Sequence, residues 1–265
     1  MYDFAYQKPG SLADAVKLLA ADAEAKVLAG GQTFIPVLKQ RLNKPSAVVD
    51  LAGLGLSGIT VTANALTIGA TTTHAAVARS AEVKKAIPGL ALLASWIGDN
   101  QVRHRGTIGG SLANNDPSAC YPAAVLALGA TIKTNKRAIK ADDFFQGMFT
   151  TALEPDEIIT AVEFPLPVAK SAYEKFRQPA SRYALVGVFV AKGPEGVRVA
   201  VTGAGQNGVF RVPEMESALA KNWSPDAVGG IKISPEGLNS DIHGSAAYRA
   251  HLISVMARRA VAAAG

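Results

Sequence analysis

Thr107-Ile108-Gly109-Gly110-Ser111-Leu112-Ala113-Asn114-Asn115-Asp116-Pro117 sets a glycine pair between two hydroxyls, then follows it with two amides and a carboxylate. Consecutive glycines reach backbone angles that side-chain-bearing residues avoid, so successive N–H groups can turn into one concavity. Such a concavity attracts anions, commonly a pyrophosphate. The flanking Thr107 and Ser111, and the polar run to Asp116, add donors and acceptors suited to phosphate, sugar hydroxyls or ring edges. A polar loop capped by asparagines is the plainer account of the same residues.

Working outward, a second glycine pair stands in Ala29-Gly30-Gly31-Gln32-Thr33, directly after the short strand-like run Lys26–Ala29. Alone it reads equally as a tight turn between strand and helix. Two such pairs in one chain favour a shared dinucleotide with an extended pyrophosphate. A third glycine pattern, Gly203-Ala204-Gly205-Gln206-Asn207-Gly208, formally matches the dinucleotide fingerprint Gly-x-Gly-x-x-Gly. In a true fingerprint the helix opens within the motif and an acid ends the next strand. Here Pro213 is the first helix-starting signal and no clear strand precedes an acid, so nicotinamide binding is disfavoured.

The remaining pattern alternates short strands and helices. Residues 11–24 carry an apolar helical face behind a Ser11 cap, and a helix or turn runs through Leu38–Leu42 before a strand at 47–51. Gly53–Gly58 reads as a hinge. Strands at 59–61 and 66–69 pair across Ala63-Asn64, helices follow at 73–79 and 81–97, and strand character returns at 125–134 and 158–164. Prolines between Pro165 and Ser171 close this part. Strands at 183–191 and 197–202 and helices at 213–221 and 245–263 complete the chain. The expected division is 1–56, 57–168 and 169–265.

Composition narrows the function classes. A chain of 265 residues, 49% hydrophobic and 18% charged, can bury a sizeable core. No apolar run approaches the ~20 residues of a membrane helix, and the start lacks the pattern of a secretory signal; a cytoplasmic protein without a membrane span is expected. Cys120 is the single cysteine, so neither an internal disulfide nor a cysteine-ligated iron–sulfur cluster can be built within these residues. The four histidines show no metal-ligand spacing. The net charge of +6 is spread without basic tracts or interleaved aromatics, which argues against nucleic acid as a partner.

The two glycine loops, the second in its Arg105-Gly106-Thr107-Ile108-Gly109-Gly110 setting, resemble the pyrophosphate loops of the FAD-binding medium subunits of molybdenum hydroxylases. That family includes the medium subunit of aerobic carbon monoxide dehydrogenase and the flavin part of xanthine dehydrogenase. Phe4-Ala5-Tyr6, Leu66–Ala70, Asp156–Ile159, Tyr173–Phe176 and Asp241–Arg249 fit the same pattern, so the likeness spans nearly the whole chain. It implies an α+β fold: a two-lobed FAD-binding region of the vanillyl-alcohol-oxidase/PCMH type, then a small α+β C-terminal domain. It also implies FAD on this chain, with two-iron clusters on a small partner subunit and the molybdenum cofactor on a large one, in a heterotrimer or a dimer of heterotrimers. Electrons would pass from the clusters through the flavin to an external acceptor.

By position, the resemblance assigns one phosphate to backbone N–H groups after Ala29, at Gly30, Gly31, Gln32 and Thr33. The other goes to Gly109 and Gly110 beside Ile108, with hydroxyls or N–H groups from Thr107 and Ser111. Lys175 matches a lysine placed near the flavin, where a cation could stabilise a reduced, anionic ring; a solvated surface lysine is the alternative. Ile159 would line the adenine end. Resembling sequences often carry an aspartate where this chain has Cys120, in a place suited to the ribityl chain. A thiol accepts weakly, so Asp116 or Asn115 could take over that contact, and Cys120 could serve as a small buried hydrophobe. His104, between Arg103 and Arg105, could lie near the flavin loop but reads rather as structural or exposed. No residue presents itself as a catalytic acid or base, which counts against a stand-alone flavin oxidoreductase. Intact glycine loops count against a non-redox scaffold.

Overall fold

A computed structural model describes residues 1–265. The first lobe comprises β1 (Ala5–Gln7), α1 (Leu12–Ala21), β2 (Lys26–Leu28), α2 (Phe34–Lys39) and β3 (Ala47–Asp50). β3 lies between β1 and β2 and is parallel to both. Parallel neighbours need a crossover, and α2 supplies it between β2 and β3. Ser11 caps α1 by accepting the Asp14 N–H, and Ala15 and Leu19, one turn apart, face the sheet. Ile158, far away in sequence, completes this small core with Ala25, Val49 and Leu51. β1 escaped the sequence reading because all three of its residues are exposed and carry no alternation. α2 stops at Lys39, short of the expected Leu42, where Arg41 turns into the left-handed region at φ 60°.

The second lobe opens with β4 (Ile59–Val61) and β5 (Ala65–Gly69), paired antiparallel as the pattern suggested. Six helices follow: α3 (His74–Arg79), α4 (Ala81–Ala86), α5 (Pro88–Ser95), α6 (Asn100–Arg105), α7 (Ile108–Asn114) and α8 (Tyr121–Ala127). Then come β6 (Thr131–Thr134), β7 (Ala138–Lys140), α9 (Ala141–Phe144), the small pair β8 (Phe145–Gly147) and β9 (Thr150–Thr151), and β10 (Ile159–Pro165). β10 takes the centre of a five-stranded sheet ordered β4-β5-β10-β6-β7. Two expectations are corrected here. The polar stretch after Gly106 is helical over α7, because Thr107 caps it and Asn115, left-handed at φ 41°, ends it. The strand expected from Val125 begins only at Thr131. Tyr121–Ala127 is a helix buried at every position, and a continuous apolar run has no period to separate a buried helix from a strand.

Glu157 ties the β6–β7 turn to the approach to β10. Its carboxylate accepts Arg137 Nε (3.0 Å) and Nη2 (2.9 Å), Thr134 Oγ1 (2.7 Å) and the Glu154 N–H (3.0 Å). The Arg137 guanidinium holds this carboxyl down to about 2. Glu157→Gln is expected to lower stability by about 1–3 kcal/mol, because one amide oxygen cannot accept what two carboxylate oxygens do. Urea unfolding at neutral pH measures it, and a change below ~0.5 kcal/mol would contradict this account.

The last part is an antiparallel meander, β11 (Lys170–Arg177), β12 (Ala184–Gly193), β13 (Gly196–Thr202) and β14 (Phe210–Arg211), with α10 (Pro213–Lys221), α11 (Pro225–Gly229) and α12 (Ala246–Ala264). The period of two along β12 divides its side chains between two cores. Val186, Val188 and Val190 join Ile253 and Met256 of α12, whereas Phe189 and Ala191 join the second lobe's core. The Ser171 hydroxyl accepts the Gly89 N–H at 3.2 Å, tying β11 to α5. The third glycine motif is a turn between β13 and β14, and α10 begins only at Pro213, as the spacing required. Its role is local. The Gly203 N–H donates to Pro117 O (2.8 Å), and Thr202 Oγ1 lies 2.6 Å from Ala119 O, so β13 braces the segment that follows α7. No helix is long and apolar enough to cross a membrane.

Candidate cofactor cleft

The two glycine loops meet at a cleft of about 690 Å³, within the ~300–1,000 Å³ usual for small-molecule and cofactor sites. Its wall comes from β2 with the β2–α2 loop, the α6–α7 region with the segment to Cys120, and β11 with the β11–β12 hairpin.

In the first loop Gly31 sits at φ +72°, open to glycine at little cost. Gly30 is required by close approach: a Cβ there would lie 2.1 Å from Arg105 O and 2.8 Å from Gly106 Cα. The loop therefore rests on the backbone that ends α6. The N–H groups of Gly30, Gly31, Gln32 and Thr33 have no acceptor in the protein, and all four residues line the cleft with Ala29. Four successive unpaired amides beside a cleft are a feature suited to an anion.

The second loop is built differently, and here the expected amide contacts need correction. The Gly109 N–H donates to Ala70 O (2.8 Å) and that of Gly110 to Thr107 Oγ1 (3.1 Å). The Ile108 N–H meets Thr72 O (3.1 Å), and the Ser111 N–H meets Thr107 O (3.0 Å). A Cβ on Gly109 would fall 2.7 Å from Ala70 Cβ, so this glycine serves packing. The motif presents Thr107, Gly110, Ser111, Ala113, Asn114 and Asp116 to the cleft, while Ile108 and Gly109 are buried behind it. Asn115 faces away, its Nδ2 donating to Gly147 O (2.7 Å) and Thr150 O (2.8 Å). Asp116 lines the cleft, one oxygen accepting the Ser118 N–H (2.8 Å).

Lys175 is not a surface lysine. It is 7% exposed and reaches the cleft floor beside Cys120, which is also buried and lines the cleft. Ile159 does not reach the cleft: it pairs with Thr134 within the second lobe's sheet, and its side chain belongs to that lobe's core. His104 is exposed, with Nδ1 2.7 Å from Asn100 O.

Sequence reasoning missed several lining residues. Lys26 and Arg182 add positive charge against Asp99 and Asp116, and Asp99 is engaged in capping α6 through the Val102 N–H (2.9 Å). Tyr183, half exposed at the β11–β12 hairpin, has its phenol pushed up by partial burial and then by the Asp116 charge. The only signal for this hairpin was Pro179-Ala180-Ser181 between apolar runs. His74, 5% exposed, also lines the cleft, and burial followed by the Arg103 charge pushes it down to about 4.

A cleft whose wall carries unpaired main-chain amides and a buried lysine is suited to an anionic ligand of dinucleotide size. A family model described as the FAD binding domain in molybdopterin dehydrogenase matches residues 2–167. The nicotine 6-hydroxylase medium subunit of Paenarthrobacter nicotinovorans is 36% identical over 98% of this chain and 96% of its own length. The carbon monoxide dehydrogenase medium chain of Afipia carboxidovorans is 35% identical over 97% and 95%. Among solved structures, the reconstituted CO dehydrogenase from Oligotropha carboxidovorans superposes with a TM-score of 0.90 at 33% identity, over 99% of this chain and 98% of that one. Quinoline 2-oxidoreductase from Pseudomonas putida 86 gives 0.88 at 30% identity, over 99% and 97%. The chain belongs to the FAD-binding medium-subunit family of molybdenum hydroxylases, and FAD is its cofactor.

Proposed function

We propose that this chain relays electrons within a heteromeric molybdenum hydroxylase, from two-iron clusters on a small subunit to an external acceptor. The molybdenum cofactor and the substrate chemistry belong to a large subunit. The observation that carries this reading is the row of four unpaired amides at Gly30–Thr33, which suits a pyrophosphate. In this arrangement residues 1–56 and 57–168 are the two halves of the cofactor site, and residues 169–265 close it through β11 and the β11–β12 hairpin. The first loop holds the phosphates, the Ser111 and Thr107 side chains border them, and Asp116 offers an acceptor to sugar hydroxyls. Lys175 supplies a fixed cation. When bound, FAD supplies the two-electron to one-electron exchange that a relay needs. The names of the relatives, as medium chains and subunits, support the heterotrimer or dimer of heterotrimers.

Two measurements test this. The purified chain, or the chain reconstituted with FAD, should absorb near ~450 nm and release FAD rather than FMN on acid treatment. Gly110→Asp, which sets a carboxylate into the cleft wall beside Thr107 and Ala29, should lower FAD occupancy at least tenfold. An intact wild-type fold that refuses FAD would end the relay reading. Co-expression with the large and small subunits should give one co-eluting complex; a chain that stays alone in their presence would remove the assembly part of the proposal.

A further inference from the structure

Lys175 stands on β11 with its ammonium drawn under the cleft. Nζ donates to Trp96 O (2.8 Å), Arg182 O (3.1 Å) and Cys120 Sγ (3.3 Å). Three partners match the three N–H donors of an ammonium. None of the three is a carboxylate, and Lys175 takes part in no ion pair. The two acids of the cleft wall accept main-chain N–H groups instead: Asp99 that of Val102, Asp116 that of Ser118. A buried cation is ordinarily paired, since its desolvation is otherwise uncompensated. The protein thus holds this charge in place with dipoles and one sulfur, and leaves its field to act on what occupies the cleft, where little water screens it.

We propose that Cys120 tunes the redox-dependent affinity of the cleft. By meeting Lys175 with a weakly accepting sulfur where a carboxylate would be a counter-ion, it leaves the ammonium to favour an anionic, reduced flavin over the oxidised one. Cys120 acts through Lys175 and is a positioning residue. The inference rests on the FAD reading above.

The test compares full-length wild-type protein with Cys120→Asp, Cys120→Ser and Lys175→Gln, each loaded with FAD. The flavin midpoint potential is read by dye-equilibrated dithionite titration, and the affinity for oxidised FAD by calorimetry. Cys120→Asp should reduce the affinity for reduced relative to oxidised FAD about tenfold, equivalent to a potential about 30 mV lower for a two-electron couple. Cys120→Ser should stay at the wild-type potential. Lys175→Gln should fall with the aspartate variant, since each removes one net positive charge from the cleft wall. An unmoved potential in either Cys120→Asp or Lys175→Gln overturns the proposal, so it remains testable even if one variant does not fold. It also fails if Cys120→Ser falls as far as Cys120→Asp. Wild-type protein that binds no FAD defeats the cofactor reading itself, whereas bound FAD with an unmoved potential defeats the tuning alone.

Discussion

Gly30→Ala protein is expected to purify without FAD and to unfold at lower denaturant than wild type. The added Cβ would sit 2.1 Å from Arg105 O and 2.8 Å from Gly106 Cα, and both are backbone atoms that cannot rotate away. Relief requires the first loop to lift off the end of α6. Overpacking of this kind costs about 1–3 kcal/mol of stability. The loss in affinity is larger, because the four unpaired amides of Gly30–Thr33 move together. Hydrogen bonds to charged groups contribute about 1.5–3 kcal/mol each, so misplacing two weakens FAD binding by on the order of a hundredfold or more. Gly31→Ala separates the two effects. Its φ of +72° costs an alanine about 1–2 kcal/mol, but the crowding there is with the Ile35 side chain, which can move. Calorimetric titration with FAD should therefore rank wild type above Gly31→Ala, and Gly31→Ala above Gly30→Ala. A Gly30→Ala protein with wild-type affinity would remove the first loop from the phosphate site.

Acidification from pH 7 to pH 4 should destabilise the protein through His74. This imidazole is buried against Tyr121, its Nδ1 has no partner, and its pKa lies at about 4 because burial, then the Arg103 charge, disfavours the cation. In the unfolded chain the group titrates near its ordinary value of 6.5. Between these values the unfolded state binds more protons than the folded one. The contribution is therefore fully present above pH ~6.5 and is lost as pH falls toward 4. The span corresponds to on the order of 3 kcal/mol. Glu157 acts in a lower window: its carboxyl is held at about 2 against an ordinary 4.5, so its contribution is intact above that ordinary value and goes as pH falls through the folded one. Urea midpoints of wild type and His74→Gln, taken at pH 7, 6 and 5, distinguish the two groups. The variant's profile should be flatter across this range; equal slopes would rule His74 out as the cause. Because the His74 main-chain N–H donates to Gly106 O (2.9 Å), and Gly106 abuts Gly30, FAD should also be held less firmly at pH 5 than at pH 7.

The motifs legible in the sequence are those whose cause is local. Ser11 caps the helix that follows it, because a hydroxyl bonds an N–H three residues on whatever surrounds it. Gly31 announces a left-handed turn for the same reason. Where the cause was not local, the reading slipped. Tyr121–Ala127 carries the same apolar run whether it lies in a helix or a strand, and only its burial on all sides decides. The second glycine pair looked like a second row of free amides. Whether an amide is free depends on the acceptor opposite, and Ala70 O and Thr107 Oγ1 are there to accept.

From its residues alone, then, this chain specifies the glycine turn at Gly30-Gly31, its longest amphipathic helix and the lack of cysteines for a cluster of its own, since each follows from backbone angles, periodicity or composition. The tertiary structure decides which loop offers its amides, that β12 serves two cores, and that Lys175 is buried beside Cys120 rather than solvated. Lys175 meets Trp96 O across 79 residues and Cys120 Sγ across 55. No short window of sequence contains both ends of such a contact, so the buried lysine of the cleft wall is placed only when segments distant in sequence pack together.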